Sequence, residues 1–526
     1  MTAPIVQAAL AAAAGTALAL RLAPQASVAV GALIVAAAGC ALLLRQRTGA
    51  SLLFVFGALG CALGTTAALR AGADCRVRLR DGAAIVATGR FTTLPDSGAR
   101  ALLHANELRA GRVSCGDVEL RVDLDESLRG TDSRVRVEGT WLRWPAAGFV
   151  RPERAGMLRV ARVATLDAPA GLGLRERLQL DAQRRTRRLY GNNAPLVEAL
   201  LLARTETLPR AVRARFADSG LVHLLAISGT HVVLILGVLL VLAQAARLSG
   251  RSARACALAG VVAYVLFLGA PPPAARAALQ LGLLSIGRAL QRPSDALSAL
   301  AVSALLLIVI EPTVVLDAGA QLSFAGVGGI IAFAPALERL MQRLPRPVVR
   351  PLAAGLAASA TTLPIAGLHF GTLAPIGIIA GLPGIPITAV AVPAAALPIV
   401  LSFVSHGAAA FLVPAAALSL RALDRVAALA AAIPGGHGYA SPGDVHALLL
   451  AGAAAIVALR ATAGHLDAPG GAPPRQSVSS ALLPGLAAAA GLAFVLGLRP
   501  ALAKAIGGSV MELHVLDVGQ GDALAI

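Results

Sequence analysis

The chain has 526 residues, of which 57% are hydrophobic, 14% charged and 3% aromatic. Soluble domains carry charge on about 25% of their residues, so this composition excludes a purely soluble protein and points to a polytopic membrane protein with a polar insert. The net charge of +18 rests almost wholly on Arg, with Lys504 the only Lys; Arg-rich cytoplasmic loops and a path for polyanions both produce such an excess, and charge alone does not separate them.

Residues 4–20, 26–44 and 50–69 are apolar runs close to the roughly 20 residues a helix needs to cross a bilayer. No Lys or Arg precedes the first, so it lacks the basic flank of a signal peptide and reads as a retained span. Arg45-Gln46-Arg47 follows the second run. The positive-inside rule places it in the cytoplasm, which puts the N-terminus inside and the region after Leu69 outside.

Residues 72–168 change character. Val118, Leu120, Val122 and Leu124 alternate with Asp117, Glu119, Arg121 and Asp123, the period of a half-buried strand. The same alternation runs through Arg76–Arg80 and Arg134–Val137, and strand-like pieces lie near 84–91, 101–109 and 157–166. Five or six short strands in one such region fit a small closed barrel of the OB kind. Both Trp residues, Trp141 and Trp144, fall here. Either they fill the barrel or touch the membrane interface, or they stack bases of a single strand beside basic side chains.

Five Cys are present: Cys40, Cys61 and Cys256 lie in apolar runs and read as packing residues. Cys75 and Cys115 lie in the polar region; an oxidising compartment there would make them a disulfide, a reducing one two free thiols. No Cys/His spacing suggests a metal site.

Residues 172–217 are Arg-rich and amphipathic, with Leu174, Leu178, Leu189, Leu196, Leu200 and Leu201 among Arg175, Arg177, Arg184, Arg185, Arg187 and Arg188. So many charges suit helices lying on the outer membrane surface, their basic face either solvated or funnelling a polyanion.

The stretch Asp218–Leu236 opens a long apolar run yet holds His223, Ser228, Gly229, Thr230 and His231. Polar groups inside a span face a cavity, a partner helix or a transport path, and Gly229 after Ser228 favours a break or a close helix contact. From Leu221 a bundle follows, with spans expected at 221–246, 256–270, 274–290, 296–310 and 318–336 and Arg clusters after every second one. Residues 352–404 are dense in Gly and Pro, 415–433 carry Arg421, Asp424 and Arg425 and read as interfacial, and 445–460 and 481–498 read as spans around a Gly/Pro-rich loop at 464–476. The last stretch, VMELHVLDVGQGDALAI, reads as strand, Gly turn and the start of another strand.

The motif HLLAISGTHVVLI resembles the signature of the ComEC family, inner-membrane channels for single-stranded DNA in bacterial competence. Further segments are similar in order: Arg276 after Pro271-Pro272-Pro273, LDAGAQLSFAGVGGI at Leu316–Ile330, LPIAGLHFGTLAPIGIIAGLPGIPI at Leu363–Ile387, and the terminal LHVLDVGQGDALAI. The chain departs from the family pattern at Gly381, where Asn is expected, and at Ala203, where Gly is usual.

The resemblance implies a polytopic α-helical membrane protein with an extracytoplasmic all-β OB-like domain. Its parts are three N-terminal transmembrane helices (1–70), the OB-like domain (71–170), interfacial Arg-rich helices (171–217), the channel domain (218–500) and the first strand of a truncated metallo-β-lactamase-like domain (508–526). Single-stranded DNA would pass the outer domain and cross through the bundle, with a DNA receptor and a cytoplasmic helicase or single-strand-binding proteins as partners. His223, Ser228, Gly229 and His231 would line or gate the path, Arg276 would meet phosphates, Gln321 and Ser323 would offer hydrogen bonds, and Asp317 would pair with Arg276. Trp141 and Trp144 are the candidate DNA-binding residues of the outer domain. A nuclease of the lactamase kind needs clustered His and Asp around two metals; His514, Asp517 and Asp522 do not make one, so a channel without enzymatic activity, metal or cofactor is expected. The rival readings are a secondary transporter, which would show inverted repeats, an intramembrane hydrolase built on Ser228 and His231, and a non-functional relic.

Overall fold

The computed structural model describes residues 4–21, 49–92, 100–111, 113–123, 133–144, 155–169, 173–205, 207–291, 295–439, 514–517 and 522–525. The spans expected at 26–44, 445–460 and 481–498, the Arg45-Gln46-Arg47 loop and Cys40 lie outside them. Among the described residues seven helices are long and apolar enough to cross a membrane by length and composition.

Helix α1 (Pro4–Arg21) packs along α2 (Gly49–Ala73) through small residues. A Cβ on Gly60 would lie 2.1 Å from the Ala12 carbonyl oxygen, and one on Gly15 would lie 2.0 Å from that of Gly57. The two backbones therefore touch, as close membrane helix pairs do when small residues line the seam.

A four-residue turn, α3 (Cys75–Arg78), follows where alternation predicted a strand. Asp74 caps it, accepting from the Arg76 backbone N–H and from the Arg76 guanidinium, and this local bond outweighs a short period-2 pattern. Five strands then close a barrel in the order β1-β2-β3-β5-β4: β1 (Ala84–Phe91), β2 (Arg100–Ala110), β3 (Val113–Asp123), β4 (Ser133–Arg143) and β5 (Gly156–Pro169). Inward positions Ile85, Ala87, Leu103, Leu120, Val122, Val135, Val137 and Leu158 are each 1% exposed or less. A disulfide joins Cys75 of α3 to Cys115 of β3, and Arg76 donates to the Glu119 carbonyl.

Helices α4 (Leu174–Tyr190), α5 (Ala194–Leu202) and α6 (Arg210–Asp218) do not lie free on a surface. They share the largest buried core with residues between Ala380 and Ala430. Arg187 pairs at 2.8 Å with Glu198, which is 1% exposed and also accepts from Gln183. Arg185 binds Asp181 and the Ser402 carbonyl and lies 3.9 Å from the Phe403 ring centroid. Two of the expected solvated Arg residues are thus internal ties. The barrel docks onto α4 through an Arg90–Glu176 ion pair at 3.0 Å, and Arg204 bridges Gln179 to the Thr92 carbonyl.

The expected 221–246 span is interrupted. Val222–Leu225 (α7) ends at Ala226, whose ψ of 137° is extended, and α8 (Gly229–Ala245) starts afresh. Then come α9 (Gly250–Phe267), α10 (Pro272–Ala289), α11 (Ala296–Ile310), α12 (Ala318–Leu340), α13 (Arg346–Phe370), β6 (Thr372–Leu373), α14 (Gly377–Leu401), α15 (His406–Ala431) and β7 (Gly438–Tyr439). Strands β6 and β7 pair with each other. Helix α15 has 26 residues, far longer than the interfacial segment expected at 415–433; Asp424, whose charge prompted that reading, pairs with Arg215 of α6 at 2.9 Å. A separate antiparallel pair, β8 (His514–Asp517) with β9 (Asp522–Ala525), comes last.

Two outcomes follow from these joints. Ala203, the C-cap of α5, sits in the left-handed region at φ 58°, a position that suits Gly. Ala203→Gly is expected to raise stability by about 0.5–1 kcal/mol, read as a higher melting temperature in detergent. At Glu176, burial works to raise the carboxyl pKa, but the Gly173 N–H and the Arg90 guanidinium outweigh it and hold the group below the usual carboxylate range. A depressed folded-state pKa contributes stability above the unfolded value and loses it as pH falls through the folded one. Protection of the β1 amides, their exchange measured relative to the intrinsic rate at each pH, should therefore fall as pH drops below that range, and Glu176→Gln should produce the same loosening, about 1–2 kcal/mol, at neutral pH.

Candidate functional site

The chain reverses after each helix from α8 to α13, so that the first turns of α8, α10 and α12 meet at one end. They meet in direct contact: a Cβ on Gly229 would lie 2.8 Å from Arg276 Nη2, and Arg276 Nε donates to Ser323 Oγ at 2.8 Å. The barrel is at this same end, because Gln179 of α4 donates to the Phe267 carbonyl that closes α9. The opposite loops carry Arg247 and Arg251, then Arg339, Arg343 and Arg346.

Arg276 is the centre of the arrangement. It is 3% exposed, yet its hydrogen bonds go to neutral groups, Ser323 Oγ and Gln280 Oε1, and its guanidinium lies 5.8 Å from the Phe324 ring centroid. Asp317, expected to pair with it, caps α12 by accepting from the Ala320 N–H at 2.9 Å. A short carboxylate just ahead of a helix satisfies free N–H groups there, and this local use takes Asp317 away from Arg276. Asp317 is nonetheless near: a Cβ on Gly319 would meet Asp317 Oδ1 at 3.0 Å and Pro273 of α10 at 3.7 Å. A buried cation held by neutral partners is costly in a membrane bundle.

Ser228 and His231 are neighbours, but not as two residues of one helical face. Ser228 is the residue before α8, and His231 folds back so that Nδ1 accepts from the Ser228 N–H at 3.2 Å and lies 3.0 Å from Ser228 Oγ. An Nδ1 that accepts leaves the proton of a neutral imidazole on Nε2. His231 is fully buried, and that Nε2 has no hydrogen-bond partner among the described residues. His223 is exposed on α7, its Nδ1 3.0 Å from the Gly220 carbonyl.

Gln321 donates to the Val315 carbonyl and meets His369 Nε2 at 2.7 Å, which ties α12 to the end of α13. The structure thus gathers Gly229, Arg276 and Ser323 in direct contact, places Ser228 and His231 beside them in chain, and keeps Gln321 with His369. Gln280, Phe324 and His369 escaped the sequence reading. Gln280 is one helical turn from Arg276, a spacing that could have found it; nothing local marks the other two.

In the barrel, Trp141 is 1% exposed and fills the core, so it presents no face to a base. Trp144 is half-buried with the Arg121 guanidinium 5.5 Å from its ring centroid. Among the described residues no group of three or more His, Cys, Asp or Glu is placed to hold a metal ion.

The contact between Gly229 and Arg276 has a measurable consequence. Gly229→Ala should displace the guanidinium and lower stability by about 1–3 kcal/mol. In an Arg276→Met background the same change should cost much less, and a double-mutant cycle on melting in detergent reads the difference.

Residues 200–463 match the Competence protein family. Over 175 residues the chain is 29% identical to ComE operon protein 3 of Bacillus subtilis (strain 168), a match covering 33% of this chain and 22% of that protein. No solved structure matches. The family match covers just over half of the chain and encloses every helix of the Arg276 junction, and the protein belongs to the Competence family.

Proposed function

We propose that this protein is an inner-membrane channel that passes single-stranded DNA into the cytoplasm during natural transformation. The observation that carries the reading is Arg276, a buried guanidinium that among the described residues has no carboxylate partner, at the meeting of three helix starts. Each helix start adds the positive end of its macrodipole, so the junction is electropositive where a polyanion would enter the bundle. Arg276 meets phosphate, Ser323 and Gln280 steady it, and Gln321 and His369 supply further hydrogen bonds. Ser228, Gly229 and His231 shape the break between α7 and α8, with His223 exposed at its approach and Asp317 setting the start of α12.

We read the barrel as an OB-like domain, on its β1-β2-β3-β5-β4 order. Its place at the Arg276 end, opposite the loops with Arg247, Arg251, Arg339 and Arg343, argues for an extracytoplasmic position by the positive-inside rule. A DNA receptor outside and a helicase or single-strand-binding protein inside are the partners this implies. The β8–β9 hairpin reads as the opening of a metallo-β-lactamase-like domain. On this reading the described residues conduct DNA without a cofactor or a chemical step.

The test is entry of labelled DNA into cells carrying the gene deleted, restored, or restored as His231→Ala or Arg276→Gln. Deletion should stop entry while DNA still binds outside; restoration should recover it, and Arg276→Gln should reduce it at least tenfold at wild-type protein levels. Unchanged entry after deletion would sink the channel reading.

A further inference from the structure

The barrel is electrostatically two-sided, and the side that resembles a polyanion receptor is not the one on which OB folds usually bind. On β2 and β3 the outward positions include Glu107, Asp117, Glu119 and Asp123. Of the Arg residues on these strands, Arg109 pairs with Glu107 and Arg121 lies over Trp144. OB folds commonly use the face of strands 2 and 3, and here that face repels phosphate.

The β4–β5 ribbon is the opposite case. Arg134, Arg136 and Arg143 on β4 and Arg159 and Arg162 on β5 are all exposed. Of these, Arg136 pairs with Glu138 at 3.3 Å, while Arg134, Arg143, Arg159 and Arg162 have no side-chain partner among the described residues. The acids on the two strands are Glu138 and Asp167, and Asp81 beside them accepts from the Arg143 backbone N–H.

The arrangement is built by the fold. In the β4–β5 register Glu138 faces Arg162 and Gly139 faces Val160, so Ala161 is the extra residue of a β-bulge. A bulge re-aims side chains, and this one turns Arg159 and Arg162, three apart, to the same outer face. Arg134 and Arg136 are two residues apart, about 6.7 Å along the strand. The cations therefore run along the ribbon as a line rather than clustering at one level. Among the described residues no hydrogen bond or ion pair joins β4 or β5 to a helix; the barrel's anchors are Arg90, Thr92, Cys115 and Glu119 on the other strands.

We propose that the outer face of the β4–β5 ribbon is the docking surface for the phosphate backbone of a single-stranded polynucleotide. This rests on the channel reading above and replaces Trp141 as the barrel's point of contact. A line of Arg on strands that make no hydrogen bond or ion pair to a helix among the described residues matches an extended polyanion better than a flat headgroup layer. The surface tracks backbone and not sequence, because it offers charge and no exposed aromatic ring on β4 or β5 apart from the half-buried Trp144 at the ribbon's end.

The test uses the full chain in zwitterionic nanodiscs, with a fluorescein-labelled oligothymidylate followed by anisotropy across a salt series. The variants are R134Q/R136Q/R159Q/R162Q and, as a control on the acidic face, E107Q/D123N. The quadruple variant should bind roughly tenfold or more weakly, with a log affinity–log salt slope shallower by about 3; the control should bind as well as wild type or better. Equal affinity and slope for wild type and quadruple variant would overturn the proposal. So would retention of the oligonucleotide with loss only of binding to phosphatidylglycerol vesicles, which would make the face a lipid surface. Uptake in cells separates the two ideas. A wild-type chain that imports DNA, with import and oligonucleotide binding both untouched by the four substitutions, removes the surface and keeps the channel. A wild-type chain that neither binds nor imports removes both.

Discussion

A guanidinium kept out of water must have its donors answered, and that constraint organises the helical part of this protein. Arg276 draws Ser323 of α12 and Gln280 of its own helix to it and rests against the backbone of Gly229. These contacts set where α8, α10 and α12 begin relative to one another. A carboxylate partner would have neutralised the group and made it a structural pair. Asp317, at the start of α12, instead accepts from the Ala320 N–H of its own helix. The local demand of a helix start took precedence over a longer-range ion pair, and the junction keeps its positive character.

The same economy of local bonds explains which parts of the fold were legible in sequence. The strands were readable because a barrel buries one face and wets the other, and that alternation is written directly into Val118–Asp123 and Arg134–Val137. The break before α8 was only half legible: Ser228–Gly229 in an apolar run pointed to a break or a close helix contact, and the run was still read as one span over 221–246. Arg76–Arg80 misled because alternation over so few residues carries little information, and a single Asp cap settles such a segment. Residues 415–433 misled because Asp424 counted as an exposed charge, whereas Arg215, 209 residues earlier in the chain, answers it. Likewise the Arg residues of α4 were counted as solvated, yet Glu198 and the Ser402 carbonyl answer two of them. In the last two cases a partner distant in the chain, which leaves no local mark, answered a charge that the sequence alone only counts.

Ala203 shows the reverse situation. Against the family pattern it stands where Gly is usual, and the structure supplies the reason for that usage: the position is left-handed. The strain is tolerable because the cap is anchored on both sides. The Ala203 N–H reaches the Glu198 carbonyl, and the next residue, Arg204, is held by Gln179 and Thr92. Anchored in this way, the end of α5 is fixed by partners rather than by its own preference.

Those anchors also make α4 the mechanical link of the molecule. Its first turn holds the barrel through Arg90 and Glu176, and one turn later Gln179 holds the end of α9 at Phe267. Five residues beyond Phe267 begins α10, and with it Arg276. A load on the barrel therefore reaches the Arg276 junction through one helical turn and one short loop, all made of polar contacts that do not stretch far before breaking. Glu176 is the weakest point of that path by its chemistry, since its hold on Arg90 and Gly173 depends on remaining ionised. The rest of α4 is fixed by burial and does not titrate with it: Leu180, Ala182 and Tyr190 are each 8% exposed or less, and the Tyr190 hydroxyl is committed to the Ala395 carbonyl. Loss of the Glu176 contact would thus loosen the barrel at one of its anchors, with the Arg204–Thr92 bond, the Cys75–Cys115 disulfide and the Arg76–Glu119 bond still in place and the bundle closed around α4.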